Sequence, residues 1–102
     1  MSSGYREVVI ETYWDSAHRR KIRARPLPDQ GYSTTVNVEC SLAMRESQPI
    51  GSLFVVEAIV KDSVDGTIVL YSHHTAPYQV VSSDQANSIM ALNRTGKRSL
   101  VI

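Results

Sequence analysis

The chain has 102 residues, a formal net charge of +1, 42% hydrophobic residues and 21% charged residues. That balance excludes a disordered chain, and a near-neutral whole selects no partner by charge alone. The length fits one domain over residues 1–102, with room for one core.

Residues 1–7 lack a basic region followed by an apolar stretch, so no secretory signal is expected. Apolar runs such as Leu53-Phe54-Val55-Val56 break at charges within a few residues. A membrane span needs about 20 apolar residues, so none is expected. Cys40 is the single cysteine, so no intramolecular disulfide can form. A small chain without disulfides fits a reducing compartment, and a cytoplasmic location is expected.

Period-2 alternation dominates the pattern. Val8–Trp14 reads as a half-buried strand, with Val8, Ile10, Thr12 and Trp14 on one face and Glu7, Val9, Glu11 and Tyr13 on the other. Asp15-Ser16-Ala17 has turn chemistry. A second strand over His18–Arg25 puts Arg19, Lys21, Arg23 and Arg25 on one face and Arg20, Ile22 and Ala24 on the other. Pro26–Gly31 reads as a loop. A third strand over Ser33–Cys40 turns Val36, Val38 and Cys40 inward and Thr35, Asn37 and Glu39 outward.

Ser41 is placed to cap a short helix over Leu42–Glu46, which Pro49 stops. Leu53–Lys61 is apolar on one face through Phe54, Val56, Ala58 and Val60. It is partly apolar on the other through Leu53, Val55 and Ile59, so it reads as a central strand. Asp65-Gly66 signals a hairpin to a partner strand over Thr67–His73. Tyr78–Ser82 is a further short strand. Ser83 then caps a helix over Asp84–Asn93 that packs through Ala86, Ile89 and Met90. Residues 94–102 read as a flexible tail, whose last residues Ser99-Leu100-Val101-Ile102 read as a docked terminal strand or as part of that tail.

These elements predict a mainly β or α+β domain: a small antiparallel barrel or roll of five to six strands. A short helix follows the third strand and another lies near the C-terminus. A helix between the third and fourth strands is the element order of an OB-type barrel. An SH3-like barrel or a generic β-roll accommodates the same elements.

Positive charge is concentrated at one place. Five of the eleven Lys and Arg lie in the window Arg19–Arg25. A strand face of Arg19, Lys21, Arg23 and Arg25 repeats every 6.6–6.8 Å or so, roughly the repeat of an extended nucleic-acid backbone. Single-stranded nucleic acid also needs aromatic platforms, for which Trp14 and Tyr32 are candidates. The competing reading is structural: Glu7, Glu11 and Asp15 would lie opposite the cations and pair with them across the hairpin. An acidic protein surface is a third possible partner.

Other candidates are weaker. His73 and His74 adjoin, but neighbours on a regular strand point to opposite faces, so no metal site is expected. Cys40 shares a register with Val36 and Val38, which predicts a small hydrophobe rather than a nucleophile. There is no phosphate loop, dinucleotide fingerprint or nucleophile elbow. The expectation is a binding module without cofactor, rather than an enzyme. The alternative to nucleic acid is a protein-binding module or inhibitor acting through a sheet edge with Tyr71, Tyr78 and His73, as a homodimer or with another chain.

Overall fold

The computed structural model describes residues 4–17, 21–62 and 65–95. Its elements are β1 (Arg6–Asp15), β2 (Lys21–Pro26), β3 (Asn37–Glu39), α1 (Leu42–Glu46), β4 (Leu53–Asp62), β5 (Ile68–Tyr71), β6 (Tyr78–Val81) and α2 (Ser83–Thr95). The strands form one sheet in the order β2-β1-β4-β5-β3, with β6 also paired to β4. The sheet curls until β2 lies against β3, which makes a nearly closed barrel.

β4 is central, as its apolar alternation predicts. Its residues Leu53–Ala58 pair with β1, Leu53–Val56 with β6 and Ile59–Asp62 with β5. The expected all-antiparallel sheet needs one correction, because β3 pairs with β5 in parallel. The two strands are far apart in sequence, so no turn between them dictates their direction.

Inside the barrel, Val8, Ile10, Ala24, Val36, Val38, Phe54, Val56, Ala58 and Leu70 pack together with Met44 of α1. Val60, expected on this face, is 43% exposed. β1 reaches β4 only as far as Ala58, so nothing from β1 covers the next inward position. β1 is also more than half-buried. Its outer residue Val9 joins Val55, Val81, Ala86 and Met90 in a second core under α2. Thr12, buried on the inner face, is satisfied: its hydroxyl and its carbonyl both accept from Gly51 N, at 3.2 and 3.0 Å.

Local chemistry explains where the boundaries fall. The predicted third strand loses its first half to a turn. Ser33 Oγ lies 2.7 Å from Thr35 Oγ1, and Val36 N donates to Ser33 O. The Ser41 hydroxyl accepts from Met44 N at 3.2 Å and caps α1 as expected. The α2 cap is Ser82 rather than Ser83. Gln85 N donates to Ser82 Oγ at 3.1 Å while Ser82 N donates to Gln85 Oε1 at 2.8 Å, a reciprocal capping box. α2 runs through Thr95, so the expected tail does not begin at Arg94. Gly66, at φ +87°, supplies the left-handed turn residue between β4 and β5. No helix among the described residues is long and apolar enough to cross a membrane.

Candidate functional site

β2 carries the basic row, and its register with β1 decides how much of that charge stays available. Glu11 lies opposite Arg25, Tyr13 opposite Arg23 and Asp15 opposite Lys21. Arg25 Nε donates to Glu11 Oε1 at 2.9 Å, and its guanidinium lies 4.5 Å from the Tyr13 ring centre. Arg23 Nε lies 3.4 Å from Asp15 Oδ2. Both pairs lie across the hairpin, as the structural reading expects. Glu7 does not join them, because β1 presents it opposite Glu57 of β4. Lys21 has no carboxylate within ion-pair distance among the described residues. Arg19 lies outside the described residues, as do His18 and Arg20.

No ladder joins β2 to β3 among the described residues. The seam instead holds a groove of about 540 Å³ lined by Lys21, Arg23, Asn37, Val38, Glu39, Cys40 and Arg45. Arg45 reaches in from α1. Its Nη1 donates to Ile22 O at 2.6 Å and its Nη2 to Cys40 O at 3.3 Å. One guanidinium thus holds the open edge of β2 to the end of β3. Both acceptors are neutral carbonyls, so the Arg45 charge remains. Its Nε is buried with no acceptor among the described residues. The groove therefore gathers three cations and one carboxylate, Glu39.

Cys40 packs against the inner core but is only half-buried, since β3 ends at Glu39 and the chain is already leaving the sheet. Burial pushes its thiol above the usual range, and the Arg45 guanidinium pulls more weakly the other way. Thiolate is the reactive form. Native protein should therefore react slowly with a thiol reagent at neutral pH, faster as pH rises through the alkaline range, and fast at once in denaturant. Rapid native labelling at neutral pH would refute this placement.

The structure separates the other candidates. Trp14 is half-exposed but lies opposite Ile22, on the face away from Lys21, Arg23 and Arg25. It cannot serve as a stacking platform for that row, because alternate residues of a strand face opposite ways. Tyr32 packs against the inner core and lines a separate pocket with Arg6, Asp29 and Arg94. The aromatic beside the cations is Tyr13, whose place on the outward face was legible from alternation. Arg45 was not, since nothing local marks a helix residue as the neighbour of a strand over 20 positions earlier.

Tyr71 and Tyr78 do not form one patch. Tyr71 pairs with Ile59 and Tyr78 with Val56, positions on opposite faces of β4. Tyr71 is half-buried under the Lys61 ammonium, 4.2 Å from the ring centre. His73 lies in a turn rather than on a strand. Thr75 N donates to His73 Nδ1 at 3.1 Å, and the His73 and His74 rings stack at 4.4 Å. Among the described residues no three His, Cys, Asp or Glu side chains gather to hold an ion.

No family model, no curated protein and no solved structure matches the chain. The functional reading accordingly rests on the groove's own residues.

Proposed function

We propose that the chain is an OB-type barrel that binds single-stranded nucleic acid across the groove between β2 and β3. Returning from β3 to β2 turns the observed strand order into the ring 1-2-3-5-4, with α1 between β3 and β4. In OB barrels the face of strands two and three is where oligonucleotides and oligosaccharides bind. The observation that carries the reading is the cationic lining of that groove by Lys21, Arg23 and Arg45. Positive charge favours phosphate over a neutral sugar chain.

The pairing geometry narrows the contacting set. Arg25 is engaged by Glu11 and Tyr13, and Arg23 is partly neutralised by Asp15. Among the described residues Lys21 and Arg45 remain to meet phosphate. Two phosphate contacts give a salt slope of about 1.4 for a single strand. Glu39 opposes phosphate from within the same groove.

Fluorescence anisotropy of labelled oligonucleotides at low and moderate salt tests this. Lys21→Ala should weaken binding evenly across sequences and lower the slope by about 0.7. Glu39→Gln should tighten binding. Arg25→Ala should leave binding unchanged and cost about 1 kcal/mol in a urea melt, because the pair it breaks is only partly buried. No binding by the unaltered protein at low salt would end this reading and favour an acidic protein surface as the groove's partner.

A further inference from the structure

The β2 and β3 edges face one another across the groove, but one side of β6 has no strand partner among the described residues. Over Leu53–Val56, β4 is flanked by β1 on one side and β6 on the other. Among the described residues no strand pairs with the far side of β6. Folded proteins usually guard such an edge with lysine, proline or an inward-pointing charge. β6 reads Tyr78-Gln79-Val80-Val81, with no charge, and Pro77 falls just before it, so proline removes no N–H from the strand and alternate N–H groups, turned away from β4, face the other side.

Apolar surface lies on both faces of this edge. Tyr78 and Val80, on the barrel side, are 45% and 44% exposed. The Tyr78 ring is held edge-on by Phe54, with centroids 5.8 Å apart and planes at 66°. On the α2 side, Gln79, Val81 and Ile89 line a shallow pocket of about 380 Å³.

We propose that β6 is a self-association edge, at which two copies of the chain pair their β6 strands antiparallel about Gln79. A sheet continued through a two-fold axis keeps each face on its own side only if residues of like orientation oppose one another. Centring on Gln79 satisfies this. It sets Tyr78 of each copy beside Val80 of the other, which makes an aromatic to β-branched pair twice. Within the strand itself no like charges oppose one another, and the neighbouring carboxylates, Asp84 on the α2 side and Glu57 of β4, lie off the strand. The contact uses the same patch on both copies, so it closes at two. It is independent of nucleic-acid binding, since none of these residues lines the β2–β3 groove.

Sedimentation analysis of the full chain over a range of concentrations tests the proposal. The expected result is a dimer that dissociates on dilution. Val80→Lys should yield a monomer with the unaltered circular dichroism spectrum. Ile68→Lys, an exposed β5 position, should leave the dimer intact. Hydrogen exchange covers the case of a variant that does not fold: in the unaltered protein the β6 amides turned away from β4 should gain protection as concentration rises. A monomer at every concentration, a Val80→Lys dimer of unaltered affinity, or protection at β6 that ignores concentration would each overturn it.

Discussion

Val56→Asp is expected to unfold the protein or leave it barely folded. Val56 is 2% exposed on the inner face of β4, between Val8 of β1 and Tyr78 of β6. It belongs to the barrel core with Phe54, Ala58 and Leu70. An unpaired carboxylate there costs about 3–5 kcal/mol, and a small domain has only about 5–15 kcal/mol in total. Thermal unfolding followed by circular dichroism should show the midpoint fall by tens of degrees, or no transition at all. Val60→Asp is the informative companion. It lies on the same face by alternation but is exposed, so its effect should stay within about 0.5 kcal/mol. Equal effects at the two positions would show that the barrel does not end at Ala58.

Gln30→Leu is expected to have the next largest effect. Gln30 lies in an irregular loop, yet its carboxamide acts as a strand partner. Its Oε1 accepts from Val9 N at 2.8 Å, and its Nε2 donates to Val9 O at 2.8 Å and to Leu27 O at 2.9 Å. Val9 is fully buried, and the last β1–β2 register pair is Ile10 with Pro26. No strand residue can take over the Val9 N–H. Leaving it buried without an acceptor, together with the orphaned Leu27 carbonyl, costs about 2–3 kcal/mol. A urea melt should record that loss. Hydrogen exchange should show the Val9 amide opening at a lower free energy than its β1 neighbours. A Val9 amide as slow as before would mean that another group satisfies it. The loop reaches this geometry with Asp29 at φ +71° and Gly31 at φ +91°. Asp and Gly are residues that tolerate the left-handed region.

The groove shows where sequence reasoning runs out. Alternation alone puts Lys21, Arg23 and Arg25 on one face and the carboxylates of β1 opposite them. Which competitor reached which cation depended on the hairpin register, and that register takes Glu7 out of the set. Alternation also carries the information that Trp14 lies on the inner face. The cations lie opposite Glu11, Tyr13 and Asp15, on the other face, so Trp14 is out of reach of their row.

The local elements are legible in the sequence: the alternating strands β1 and β4, the inner face of β4 (which alternation extends one position too far, to Val60), the Ser41-capped α1, the Asp65-Gly66 turn, and the α2 face of Ala86, Ile89 and Met90. These depend on side-chain periodicity and turn chemistry within a few residues, so they are legible one segment at a time. Four features emerge only once the chain is folded: the parallel β3–β5 pair, the second core that buries Val9 beneath α2, the Arg45 guanidinium across the seam, and the side of β6 that no described strand covers. Each depends on which distant segments pack together. Burial and backbone hydrogen bonding are satisfied over the whole sheet at once, and no local window of residues contains that constraint.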